Sequence, residues 1–122
     1  GWFGISNIAF SPGCTDPYNP KSVRAAMGAH FGVVLHMNIS LDTFKNSHTI
    51  IAADLNGINA DSYFFPRRCI LVLGNEAHGL SNQSRKQVKE YISINKLGVG
   101  ESLNVSSAGS ILIYLLMKNY QQ

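Results

Sequence analysis

The chain has 122 residues, enough for one domain with a substantial hydrophobic core. Hydrophobic residues make up 45% of it and charged residues 14%, a composition that excludes disordered and collagen-like proteins. No apolar run approaches the roughly twenty residues of a membrane-spanning helix, and the first residues lack the pattern of a signal peptide. We therefore expect a cytoplasmic protein with no membrane partner. The net charge of +3 is compatible with a nucleic-acid partner and does not require one.

The two cysteines, Cys14 and Cys69, are far apart in the sequence. They form no C-x-x-C motif, and no histidine stands at the spacing of a metal ligand. We therefore expect neither a disulfide nor a metal site.

Strand and helix patterns alternate along the chain, which predicts an α/β fold with a mostly parallel sheet covered by helices on both faces. The predicted elements, in chain order, are strand 5–10, helix 20–30, strand 33–37, short helix 40–44, strand 49–54, strand 69–73, a helix to about residue 90 with Ser81 or Asn82 as its cap, strand 91–94 and a closing helix from about residue 105. Neither an internal repeat nor a low-complexity segment interrupts this order, so we treat residues 1–122 as one domain.

Several element boundaries follow from local residue chemistry. Asn19 is a predicted helix cap, with Pro20 at the first helical position, and Gly32 is predicted to end that helix. The pair Asn56-Gly57 predicts a turn that closes strand 49–54. Strand 69–73 is almost wholly apolar, which is typical of a central parallel strand covered on both faces.

A glycine-containing loop follows that apolar strand. Gly74 and Gly79 have the spacing of a phosphate-binding loop, but Leu80 stands where such a loop has its lysine. Gly98 and Gly100 likewise lack the third glycine of a dinucleotide fingerprint. An NTPase or a generic flavodoxin-like or phosphate-binding domain is therefore disfavoured. Both loops suit an adenosine-like ligand held by backbone groups.

The last stretch of the chain places small polar residues just before an apolar helix: Ser102, Asn104, Ser106 and Ser107. Buried hydroxyl and amide groups are costly unless they find partners, so these residues favour a functional site. The alternative is that Asn104 and Ser106 simply cap the last helix.

Three sequence stretches, in order and at matching spacing, carry a family resemblance: Gly74-Asn75-Glu76 with Gly79-Leu80, then Ile92-Ser93-Ile94, then Ser102-Leu103-Asn104-Val105-Ser106. They resemble the second and third motifs of the SpoU/TrmH-type RNA 2′-O-ribose methyltransferases of the SPOUT superfamily. The resemblance implies an α/β domain with a deep trefoil knot at its C-terminal end. It also implies a homodimer and S-adenosylmethionine bound in the knot.

The resemblance also implies roles for individual residues. Gly74, Ile94 and Leu103 match the positions that enclose the cofactor, although Ile94 and Leu103 can equally be read as core. Glu76, Ser102 and Asn104 match the catalytic positions that orient an arginine and the incoming ribose, while His78 falls at a variable position. Lys21 and Arg24 share one helix face and are the candidate RNA contacts, on charge alone.

Family members begin with a strand and a helix that bear an asparagine and an arginine. Gly1 is not an initiator methionine, and Trp2 to Ile5 resembles the end of that helix. We therefore expect the chain to be a methyltransferase domain without this first motif. The expected function is S-adenosylmethionine-dependent methylation of a ribose 2′-hydroxyl in tRNA or rRNA by a longer protein. The alternative is a knotted module that binds S-adenosylmethionine or RNA without turnover.

Overall fold

Two compact units make up the chain, Gly1–Thr43 and Phe44–Gln122. The computed structural model describes residues 1–14, 16–74 and 79–121. Each unit holds a parallel sheet, with two strands in the first unit and three in the second. The prediction of an α/β fold with parallel strands is therefore confirmed. The described strands form two sheets rather than the single sheet that we expected.

The strands and helices alternate as the sequence predicts. They are β1 (Asn7–Ala9), α1 (Pro20–Ala26), β2 (Val34–His36), β3 (Thr49–Asn59), β4 (Cys69–Val72), α2 (Asn82–Arg85), β5 (Glu90–Ser93) and α3 (Val105–Tyr120). Short 3-10 helices span Ala29–Phe31, Leu41–Phe44 and Ala60–Ser62. Among the described residues, no helix is long and apolar enough to cross a membrane.

In the first unit, β1 and β2 pair in parallel, and α1 lies between them in the chain. The predicted cap of α1 is confirmed, because the Ser22 backbone N–H donates to Asn19 Oδ1 over 2.9 Å. The predicted end at Gly32 is wrong. Met27 and Gly28 adopt left-handed backbone conformations, with φ of 51° and 86°, and so end the helix earlier.

In the second unit, the strand order is β4-β3-β5, so the central strand is β3 and not β4 as we predicted. The first part of β3 is deeply buried, since Ile50, Ile51 and Ala52 are at most 2% exposed. The apolar residues of β4 are only half-buried. The apolar run therefore predicted a strand correctly, but the prediction that this strand is central was wrong.

A large bulge interrupts β3. Ile92 of β5 pairs with both Ala53 and Ile58, so residues 54–57 protrude between two paired positions of one strand. The prediction that Asn56-Gly57 closes the strand is therefore wrong, because the chain turns there and rejoins the same neighbour. The Ser93 hydroxyl donates to the Gly57 carbonyl over 2.9 Å and fixes the bulge to β5.

Helix α3 runs antiparallel to β4. Near its start, a Cβ on Gly109 would lie 2.8 Å from Leu73 Cδ1, just past the end of β4. At its end, the Tyr120 hydroxyl donates to the Pro66 carbonyl over 2.6 Å, just before β4 begins. Leu112 and Leu116 are buried between these two points. The start of α3 therefore lies at the carboxyl end of β4.

Helix α2 is shorter than predicted. Its cap is confirmed, because the Ser84 backbone N–H donates to Ser81 Oγ over 3.1 Å. The helix ends at Arg85 and not near Glu90, because the chain must turn back into the sheet. Lys89 already donates its backbone N–H to the Ile50 carbonyl, over 2.8 Å.

Candidate functional site

The candidate cofactor residues follow the carboxyl ends of two strands in the three-stranded sheet. Gly74 stands two residues after β4, and Ile94 directly follows β5. Both strands are parallel to β3, so their carboxyl ends lie on one side of the sheet, which we call its carboxyl edge. In open parallel sheets, ligands bind outside this edge.

Gly74 is held against the other end of its own loop. A Cβ on Gly74 would lie 2.9 Å from the carbonyl carbon of Gly79 and 3.1 Å from the backbone nitrogen of Leu80. Any side chain there would collide with backbone, so glycine is required for the loop to close. A contact of the Gly74 backbone with a ligand stays a prediction.

The contact between Gly109 and Leu73 brings the start of α3 beside this loop. Leu103 comes two residues before α3 and is 52% exposed, so it is not a core residue here. Ile94 is half-buried. Two apolar side chains with accessible surface therefore stand in segments that adjoin the carboxyl edge.

Asn104 caps α3. The Ser107 backbone N–H donates to Asn104 Oδ1 over 2.8 Å, which confirms the capping interpretation of Asn104. Ser106 lies within the helix, where its carbonyl accepts a hydrogen bond from the Ser110 hydroxyl over 3.0 Å. It is therefore not a cap. Ser102 is exposed, two residues before Asn104. The catalytic roles of Ser102 and Asn104 stay predictions.

The remaining predicted site residues belong to the first unit or lie outside the described residues. Glu76 belongs to the second group, together with Asn75, Ala77 and His78. Lys21 and Arg24 are exposed on α1 in the first unit. Their contact with RNA stays a prediction.

The bulge of β3 was not predicted from the sequence. It follows the part of β3 that pairs with β4, so it lies toward the same carboxyl edge. Asp54 Oδ1 accepts a hydrogen bond from the Asn56 backbone N–H over 2.9 Å, which shapes the bulge. Leu55 is 70% exposed. The signal was present in Asn56-Gly57, but an Asn-Gly pair indicates a sharp change of direction without showing that the strand resumes.

The described residues with shifted pKa values lie on the opposite side of the sheet, where its strands begin, which we call the amino edge. Burial raises the pKa of Tyr63 to about 12, with the neighbouring Glu90 carboxylate adding to the shift. Burial also raises the pKa of the Tyr120 phenol and of the Cys69 thiol. Their side chains meet, with 3.1 Å between Cys69 Sγ and the Tyr120 oxygen. This cluster stabilises the end of α3 and is not part of the candidate site.

The described ranges also contain no group of three or more His, Cys, Asp or Glu side chains placed to hold a metal ion.

Comparison with known proteins decides the family. The family model of the SpoU rRNA methylases matches residues 1–114. The chain belongs to the SpoU rRNA methylase family. The resemblance that we drew from three sequence stretches is thereby confirmed.

Individual relatives agree with this assignment. Over 93% of its length, the chain is 28% identical to the 23S rRNA (guanosine(2553)-2′-O)-methyltransferase RlmP of Bacillus subtilis, and it covers 48% of that protein. A solved structure of a TrmH-family protein from Porphyromonas gingivalis superposes with a TM-score of 0.84 at 31% identity, covering 93% of this chain and 49% of that one.

The SpoU methyltransferase AviRb from Streptomyces viridochromogenes, solved in complex with the cofactor AdoMet, shares the fold. Its TM-score is 0.86 at 23% identity, over 98% of this chain and 52% of that one. The chain spans about half the length of the curated relatives that it matches.

Proposed function

We propose that this chain is part of the catalytic domain of an enzyme that methylates a ribose 2′-hydroxyl of rRNA or tRNA, with S-adenosylmethionine as methyl donor. The main observation behind the proposal is that the segments with the family motifs lie together at the carboxyl edge of the sheet. The SpoU family model also matches residues 1–114 of the chain. The name of the Bacillus subtilis relative supports RNA as the substrate class.

The residues at this edge fit S-adenosylmethionine. Gly74 keeps the loop free of side chains at the point where it meets Gly79, so backbone groups can bind an adenosine. Ile94 and Leu103 offer apolar surface to the adenine ring. S-adenosylmethionine carries no phosphate, so its binding does not need the lysine that a phosphate-binding loop has at the position of Leu80. The complex of AviRb with AdoMet supports this cofactor.

The bound cofactor supplies a methyl group already activated on a sulfonium, so alignment with the ribose oxygen accounts for much of the rate. We assign that alignment to Glu76, Ser102 and Asn104. The helix cap occupies Oδ1 of Asn104, and we assign the NH₂ group of the same side chain to the ribose. Capping and catalysis are therefore compatible in one residue.

Family membership supports three further parts of the proposal. Residues 1–122 belong to one methyltransferase domain that lacks the first strand and helix of the family. The segment after β5 passes through a preceding loop to form the deep trefoil knot. The protein works as a homodimer in the cytoplasm. Lys21 and Arg24 contact RNA, a role that rests on their charge and their exposure on α1 rather than on the family.

Calorimetry and methylation assays test the function. We expect S-adenosylmethionine to bind both the 122-residue chain and a protein extended at its N-terminus to include the first motif. Single-turnover methylation of rRNA or tRNA is expected from the extended protein alone. Binding by both proteins without methylation by either would favour the non-catalytic binding module. A folded chain that does not bind the cofactor would contradict the proposal.

A further inference from the structure

The amino edge of the three-stranded sheet, opposite the candidate cofactor site, carries exposed cations on both sides of β3. The Thr49 backbone N–H donates to the Arg68 carbonyl over 2.9 Å, and the Lys89 backbone N–H donates to the Ile50 carbonyl over 2.8 Å. Arg68 therefore adjoins one side of β3 and Lys89 the other. Arg67 precedes Arg68, and all three side chains are exposed.

The strand registers place Arg68 and Lys89 at the start of the sheet, on the two sides of β3. Thr49 pairs with Cys69, so Arg68 directly precedes the first pair between β3 and β4. Ile51 pairs with Glu90, so Lys89 directly precedes the first pair between β3 and β5. Two strand spacings, about 10 Å, separate the two backbones, which is a distance that long cationic side chains can span.

Glu90 is the acidic residue next to Lys89 in the chain and the first residue of β5. Its carboxylate lies near the Tyr63 phenol and helps to raise the pKa of that phenol. On the other side, the end of α3 is fixed beside Arg67, because the Tyr120 hydroxyl donates to the Pro66 carbonyl. Hydrogen bonds to β3 and to Tyr120 therefore hold the backbone of the segments that carry the cations.

We propose that Arg67, Arg68 and Lys89 form a basic edge that binds the sugar-phosphate backbone of RNA. This inference rests on the proposed function, which makes RNA the partner. Six residues of extended chain separate Arg68 from Gly74, about 20 Å. The basic edge therefore holds a different stretch of the RNA from the one that presents its ribose at the cofactor edge. Phosphate contacts give affinity and register without reading sequence.

The test compares charge reversal with charge conservation at the same positions. One variant carries Arg67→Glu, Arg68→Glu and Lys89→Glu, and the control carries Arg67→Lys, Arg68→Lys and Lys89→Arg. Binding of a fluorescent RNA hairpin by the full chain is measured between about 50 and 200 mM salt. Reversal is expected to weaken binding roughly tenfold or more and to reduce the slope of log K against log salt by about 2 to 3, and the control is expected to keep both.

Each outcome decides the inference. An unchanged affinity and salt slope in a folded reversal variant would overturn it, as would the absence of hairpin binding by the unsubstituted chain. If charge reversal weakens the binding of polyglutamate as much as it weakens the binding of the hairpin, the basic edge is a surface for acidic proteins instead. Calorimetry with S-adenosylmethionine on the same samples separates this result from the proposed function. Loss of hairpin binding on reversal, in a chain that does not bind the cofactor, would support the basic edge and contradict the methyltransferase proposal.

Discussion

Gly57 lies so close to Ile92 that a Cβ on Gly57 would be 2.6 Å from the backbone nitrogen of Ile92. The carbonyl carbon of Tyr91 would be equally close. This approach follows from the bulge of β3, in which residues 54–57 protrude while Ile92 pairs with the strand on both sides. The glycine therefore lets the central strand regain its pairing next to the segment that leads to Ile94.

Gly57→Ala is expected to destabilise the protein by about 3 kcal/mol, because both neighbouring atoms belong to backbone and cannot rotate away. Chemical denaturation measures the change. Gly98→Ala is the matched control, since a Cβ there meets nothing within 4 Å. We expect the control to be neutral or slightly stabilising. A Gly57→Ala protein as stable as the control would show that the bulge is not required.

Gly74→Val is expected to weaken S-adenosylmethionine binding by roughly tenfold or more, which corresponds to about 1.4 kcal/mol. The added side chain would force the Gly74 loop away from Gly79 and Leu80. Calorimetry on the folded variant gives the affinity. Gly32→Val is the control, because the nearest atom to a Cβ there is 3.7 Å away. An unchanged affinity in folded Gly74→Val would remove this loop from the cofactor site.

Substitutions of Asn104 separate its cap from its proposed catalytic role. Asn104→Ala is expected to lower stability by about 1 kcal/mol, because the Ser107 N–H loses its acceptor. Asn104→Ser keeps a capping oxygen and most of the stability. If the amide positions the ribose, both variants lower kcat in the N-terminally extended protein and leave cofactor affinity nearly unchanged. Normal single-turnover methylation by Asn104→Ser would leave Asn104 a cap only.

Stability is expected to fall as the pH rises above 10. Folding raises the pKa of Tyr63 from 10.0 to about 12, so the folded state holds this proton more tightly than the unfolded chain does. Its contribution is complete below pH 10 and is lost as the pH rises toward 12. The raised pKa values of Tyr120 and Cys69 act in the same direction. Denaturant midpoints at increasing pH measure the loss, and Tyr63→Phe should flatten the curve. An equally steep curve in that variant would assign the loss to other groups.

Local chemistry in the sequence determined the element order, the caps at Asn19, Ser81 and Asn104, and the family. Each cap depends on a side chain and a backbone N–H three residues apart, so it can be predicted from a few adjacent residues. The family was equally accessible, because its motifs are short and their spacing is preserved in the chain. The polar residues at Ser102 and Asn104 were identified for the same reason.

Only the tertiary structure decided that β3 is central, that its bulge resumes as strand, and that Met27 rather than Gly32 ends α1. Strand order depends on which backbone groups pair across the sheet, and an apolar run such as Cys69–Val72 carries no information about its neighbours. The turn at Gly57 was visible in the sequence, but the contact with Ile92 that makes it a bulge joins residues 35 positions apart. Arg68 and Lys89 likewise come together only because both strands pair with β3, and pairing between distant segments is set by packing of the whole sheet rather than by local preference.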